Sequence, residues 1–149
     1  MYRLRCPECG GYTDKYALRC SKGHAGLLRS EYSQRTLSIK NRESVFRFSD
    51  WLPTESIIES DSAPSAFVSE GLSRELGLSN LWIAFTGYYP ERDAYVTSCS
   101  FKELEALPTF ARIRDHGSGT ITVASAGNTG RAFAQISGET GLPCVIVVP

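Results

Sequence analysis

The sequence predicts an α/β fold, a parallel sheet with flanking helices, preceded by a small cysteine-bearing knuckle. Two patterns near the C-terminal end predict the sheet: "GTITVAS" and "CVIVV" read as strands, and "GNTGRAFAQISGETG" between them reads as a helix. Strand, helix and strand joined by short turns make a βαβ unit, which brings its two strands together in parallel. The knuckle follows from the first thirty residues, where "RCPECG" gives Cys6-x-x-Cys9 and "RCSKGHAG" gives Cys20-x-x-x-His24.

Taken in order, Tyr12 to Leu18 can turn back as a hairpin strand between the two Cys/His pairs, and Ser30 to Glu43 form a polar connector. This divides the chain at residues 1–30 and 31–149. "FVSEGLSRELGLSN" places apolar side chains at Phe67, Leu72, Leu76 and Leu78, a short amphipathic helix closed by Gly77. "LWIAFTGYY" is a β-branched and aromatic strand that Pro90 ends. In "TSCSFKELEALPTF", Ser100 and Glu103 have capping-box spacing, so Ser100 is the expected N-cap and Lys102 falls in the first helical turn; Pro108 breaks or kinks that helix. "CVIVV" is a continuous apolar run of the kind buried on both sheet faces.

Acidic and basic residues balance at 16 each, so no net field draws the chain to nucleic acid or an anionic membrane. No apolar run approaches the roughly 20 residues of a membrane span. "MYRLRCPECG" has no apolar core of a secretory signal. Five cysteines, three of them within the first twenty residues, fit a reduced cytoplasmic protein with a metal knuckle better than a disulfide scaffold.

Thiolates two residues apart bind one zinc from a single tight turn, and Cys6, Cys9, Cys20 and His24 supply a full tetrahedral set. Four protein ligands leave no open position, so such a zinc is structural; a ribbon without metal, with thiols that pack, is the alternative. "ASAGNTGR" joins a strand to a helix, where backbone amides converge and bind anions. It is neither G-x-G-x-x-G nor a Walker loop, and an ordinary βα turn fits it too. Lys102 and Arg131 each sit in the first turn of a helix, against its dipole by roughly 0.3–1 kcal/mol. Two such placements suggest an anionic ligand near both helix starts; solvated surface positions are the plainer reading. Arg112 and Arg114 read as the solvent face of a helix end, His116 as a solvated loop residue, Cys99 as a packed thiol and Cys144 as core.

"SFK" at Ser100–Lys102 followed by "SAGNTG" at Ser125–Gly130 resembles the tryptophan-synthase-β-like family of pyridoxal-phosphate enzymes. The resemblance implies that Lys102 forms the Schiff base with pyridoxal 5'-phosphate and that Asn128 contacts the cofactor ring. It further implies that Ser125, Gly127 and Thr129 hold the substrate carboxylate. The knuckle looks like that of archaeal threonine-synthase relatives. Two departures from threonine synthases, Glu103-Leu104-Glu105-Ala106 after the lysine and Arg131 after the asparagine loop, point with "FRFSDWLP" to a paralogous branch in methanogenic archaea. That branch replaces the phosphate of O-phospho-L-serine with sulfite, giving L-cysteate for coenzyme M biosynthesis, and Arg131 would there hold the phosphate or sulfite.

Threonine synthesis from O-phosphohomoserine is the rival within the family. A zinc-ribbon binding module on a noncatalytic α/β unit is the rival outside it, though the neutral charge balance argues against nucleic acid as its partner. The family's phosphate cup and the residue facing the pyridine nitrogen are not found after Gly130. The expectation is therefore an N-terminal part of a longer enzyme, inactive alone and a homo-oligomer at full length.

Overall fold

The computed structural model describes residues 1–117 and 119–148. At the N-terminus, β1 (Tyr2–Arg5) is the centre of a three-stranded antiparallel sheet, flanked by β2 (Tyr12–Thr13) and β3 (Arg29–Tyr32). Alternation turns Tyr2 and Leu4 inward and Arg3 and Arg5 outward. The β1–β2 turn is tied by Cys6 N–H to Gly11 O (2.9 Å) and Gly10 N–H to Cys6 O (3.0 Å). Gly10 sits at φ +68°, which a residue with a Cβ adopts only at a cost. The sheet runs on to Tyr32, past the position at which sequence reading divides the chain.

The connector carries no helix or strand from Ser33 to Glu43. After it, a 3-10 segment over Val45–Trp51, started by the Ser44 hydroxyl accepting from Phe46 N–H, delivers Phe46 fully buried into the core. Next, β4 (Ser65–Val68) and β5 (Trp82–Phe85) pair antiparallel around α1 (Glu70–Leu76), which closes at Gly77 with φ +65°. Here the amphipathic-helix expectation is corrected at its start: Phe67 lies in β4 opposite Ile83, and α1 buries no side chain at all. A small antiparallel pair, β6 (Tyr88–Tyr89) and β7 (Ala94–Tyr95), leads to the next helix.

The core is built by α2 (Lys102–His116), β8 (Ile121–Ala124), α3 (Asn128–Thr140) and β9 (Cys144–Val147). α2 passes through Pro108 and stops at Gly117 (φ +72°). β8 and β9 pair in parallel, Ile121 opposite Cys144 and Ala124 opposite Val147, as the βαβ reading expects. Ala106, Leu107, Phe110 and Ala111 of α2 meet Ala132, Phe133 and Ile136 of α3 over Ile121, with Phe46 and Ile58 closing the cluster. The result is a mixed α/β structure, and parallel pairing is confined to β8–β9 among the described residues. β9 is not buried on both faces: Cys144 and Ile146 pack against the core, while Val145 and Val147 are 49% and 51% exposed. A run of apolar residues cannot by itself reveal whether a second layer covers it.

The C-terminal end of α2 is stitched to the Thr54–Ser56 segment by Asp115. Its carboxylate accepts from Thr54 Oγ1 (2.8 Å), Glu55 N–H (2.7 Å) and Ser56 N–H (2.8 Å). Partial burial favours the neutral acid, but the bonds from Ser56, Glu55 and Thr54 outweigh it and hold the carboxyl below the usual carboxylate range. A folded-state value below the unfolded one means this stabilisation is present at neutral pH and is lost as pH falls through the carboxylate range. Asp115→Ala is expected to lower stability by about 2 kcal/mol at pH 7. The deficit should shrink below about pH 4. Urea unfolding of both proteins across pH 3–7 measures it.

Candidate functional site

The knuckle brings its four predicted ligands together. Cys6 and Cys20 are buried, Cys9 and His24 partly so, and the four donor atoms all lie within 4.8 Å of one another. Cys9 Sγ stands 3.8 Å from Cys20 Sγ, and His24 Nδ1 stands 3.5 Å from Cys6 Sγ and 3.4 Å from Cys20 Sγ. A tetrahedral zinc with normal bond lengths sets two thiolates about 3.8 Å apart and a thiolate and an imidazole nitrogen about 3.5 Å apart. The cluster therefore has the size and the sulfur–imidazole chemistry of a closed zinc cage. The Cys9 backbone N–H, helped by that of Glu8, outweighs burial and pulls the Cys6 thiol down to about 6. At Cys20 the Lys22 N–H is outweighed by burial and the neighbouring Cys6 and Cys9 thiols, which push that thiol up.

Lys102 is the first residue of α2. The expected capping box is displaced rather than absent. Ser100 Oγ accepts from Lys102 N–H (3.3 Å), and the Glu103 carboxylate reaches back to Ser98 N–H (2.7 Å) instead of to Ser100. Glu103 is 1% exposed, so this bond fixes the turn that leads into the helix. The awkward cation at the helix start is offset locally: Lys102 Nζ lies 2.5 Å from Glu105 Oε2, one turn on, and 5.1 Å from the Phe101 ring centre.

The second predicted segment wraps the start of α3. Ser125 Oγ accepts from Gly127 N–H (3.2 Å) and Gly130 N–H (3.1 Å). Gly130 is obligatory, since a Cβ there would lie 2.7 Å from Ser125 O. A Cβ on Gly127 would meet nothing within 4 Å, so the backbone there is open to a ligand. The Asn128 and Thr129 amides have no backbone acceptor among the described residues, as first-turn amides do not, and the Asn128 side chain and Arg131 are exposed. Free amides, an amide side chain and hydroxyls suit an anionic cofactor or carboxylate. No hydrogen bond or ion pair among the described residues joins Lys102 to residues 125–131. The Glu103 end of α2 instead shares a cavity of about 410 Å³ with Glu139 at the far end of α3, alongside Glu59 and Ser62.

Three assignments are corrected by the geometry: the solvent face for Arg112, the loop for His116 and the packing of Cys99. Arg112 is no solvent-face residue: its guanidinium donates to Tyr2 OH, to Lys15 O and, at 3.1 Å, to Pro53 O. His116 is the last residue of α2, edge-on to Tyr16 with ring centres 4.7 Å apart. Nothing in the local sequence signals either contact, because the partners lie from 59 to 110 residues away. Cys144 is half-buried and packs against the core, whereas Cys99 is exposed, not packed. No helix among the described residues is long and apolar enough to cross a membrane.

Comparison with known proteins bears on these segments directly. Residues 67–149, which hold Lys102 and the asparagine loop, match the family model "Pyridoxal-phosphate dependent enzyme". A cysteate synthase of Methanocorpusculum labreanum is 55% identical over 99% of this chain and 36% of its own length. Those of Methanoculleus marisnigri and Methanosarcina barkeri are 50% and 47% identical over 99% of the chain, with 35% and 36% of their own lengths covered. The chain thus spans about a third of the length of these curated relatives. No solved structure matches it significantly. The chain belongs to the family of pyridoxal-phosphate dependent enzymes.

Proposed function

We propose that the protein carries out β-replacement as a cysteate synthase, converting O-phospho-L-serine and sulfite to L-cysteate and phosphate on the route to coenzyme M. The observation that carries this reading is the near end-to-end identity, 55% over 99% of the chain, to a cysteate synthase. Lys102 is the residue that bonds pyridoxal phosphate, which when bound withdraws electrons from the substrate α-carbon. Losing the Lys102–Glu105 pair to free the amine costs little, because exposed pairs are worth about 0–1 kcal/mol. The freed Lys102 amine takes the α-proton. Phosphate leaves with the Cβ–O electron pair, sulfite sulfur supplies the pair for the new Cβ–S bond, and the proton returns to Cα; no oxidant is needed. The Asn128 side chain orients the cofactor ring. The open backbone at Gly127 and the hydroxyls of Ser125 and Thr129 hold the substrate carboxylate, and Arg131 holds phosphate or sulfite through its planar donors.

In the same reading, Cys6, Cys9, Cys20 and His24 hold one structural zinc, and residues 31–149 form part of the catalytic α/β unit. Protein prepared without chelator should carry about one zinc per chain. Cys6→Ser should remove it and lower the thermal midpoint by about 5 °C or more. Unchanged stability in metal-free protein would remove the assignment.

For the reaction, borohydride should fix the cofactor on Lys102, read by peptide mapping of the enzyme at its natural length. Lys102→Ala should cut turnover by about 10³-fold or more. Phosphate release from phosphoserine should require sulfite. Turnover of O-phosphohomoserine with water instead would point to threonine synthesis.

A further inference from the structure

The two ends of α2 serve different neighbours. Its first turn carries Lys102, while its last two turns grip the knuckle. Arg112 sits between two aromatic rings, its guanidinium carbon 5.5 Å from the centres of both Tyr2 and Tyr16. Its donors are spread over Tyr2 OH, Lys15 O and Pro53 O. Tyr2 lies on β1, which runs into Cys6 and Cys9; Lys15 and Tyr16 lie on the turn that runs into Cys20 and His24. One side chain therefore holds both chain segments that lead into the two halves of the metal cluster.

The rest of this contact is sparse. His116 touches Tyr16 edge-on, and Lys15 pairs with Glu55 at 2.8 Å. An open groove of about 360 Å³ runs along this contact between Tyr16, Leu18, Thr109, Arg112, Ile113 and His116. The interface is thus anchored at a polar node more than by close packing. The segment from Asp14 to Leu28 contains no strand; Asp14 holds the Tyr16 N–H (2.8 Å) and Ala17 N–H (3.0 Å) locally, and closing the Cys6/Cys9/Cys20/His24 cluster ties the rest of the segment to the end of β1. Lys102 stands ten residues before Arg112 on one continuous helix, about 15 Å along its axis. A helix gripped over its last two turns carries its first turn with it.

We propose that Arg112 is a positioning residue that couples the metal knuckle to Lys102, so that metal occupancy sets the pose of the lysine helix. This rests on Lys102 being the cofactor-bonding lysine. Arg112 touches neither substrate nor cofactor; it acts through α2.

The test uses the enzyme at its natural length as wild type, Arg112→Ala and Arg112→Lys, each with its metal and after chelation. It reads zinc content, amide hydrogen exchange across residues 102–116, and the visible band of the lysine-bound cofactor during titration with pyridoxal phosphate. In the wild type, chelation should speed exchange in α2 at least tenfold and weaken cofactor binding at least fivefold. Arg112→Ala should keep one zinc per chain yet show both changes already, with little further effect of chelation. Arg112→Lys, keeping the charge but not the planar fork, should lie between them, and it serves as the scored variant if the alanine protein does not fold. Wild-type-like exchange and cofactor affinity in a zinc-loaded Arg112 variant would overturn the coupling, as would chelation that leaves α2 exchange unchanged. If the wild type bonds its cofactor at another lysine, the functional reading fails, while the exchange data still decide whether knuckle and helix are coupled.

Discussion

One apolar seam holds this structure in register: Ala106, Leu107, Phe110 and Ala111 of α2 against Ala132, Phe133 and Ile136 of α3. Phe110 and Phe133 meet with ring centres 5.7 Å apart. Burial of each large side chain contributes about 2–3 kcal/mol, well above any single surface ion pair in the molecule. The seam mixes small and large residues, which lets two helices approach closely and commits the facing side of each. The helix ends carry the polar work: Lys102 and Glu103 at one end of α2, Arg112, Asp115 and His116 at the other, and the Ser125–Gly130 loop ahead of α3. The apolar middle fixes where those ends stand. The ends decide what the chain touches.

Legibility in the sequence followed how local each cause is. The β8–α3–β9 unit was readable because a strand, a helix closed by Gly141 and a second strand follow one another with short turns. The cysteine–histidine cluster is readable for the same reason, since its paired candidate ligands, three and four residues apart, sit on their own turns. Phe67 was misread because its spacing to Leu72 and Leu76 fits a helix, whereas pairing with Ile83 across β4–β5 decides its state. The lone α1 buries nothing, so its apolar spacing never reported a core face. Covering layers are also invisible in one dimension, which is why Val145 and Val147 read as buried although they are half exposed.

At the site, the sequence showed that Lys102 opposes its helix dipole but not what offsets it. Glu105 was in view one turn on, and the structure gives it that task at 2.5 Å. Glu103 has the capping role its spacing predicts, but its partner is Ser98 rather than Ser100, and α2 starts one residue later than the Ser100 box predicts. Arg112 was beyond reach. Its partners Tyr2 and Lys15 are 110 and 97 residues away, and no periodicity encodes a contact of that separation.

The same separations set an order of assembly. Cys6 and His24 are 18 residues apart, while Arg112 and Tyr2 are 110 apart. Loop-closure entropy makes the longer contact about 1.6 kcal/mol costlier to form from an open chain. By loop length alone, the knuckle closes more readily than the contact that docks α2 on it. By the time Arg112 arrives, Tyr2 and Lys15 O are already held a fixed distance apart, so the guanidinium docks into a finished socket instead of having to gather its acceptors. Closure of the cysteine–histidine cluster in this way lowers the entropic cost of docking a helix about a hundred residues away.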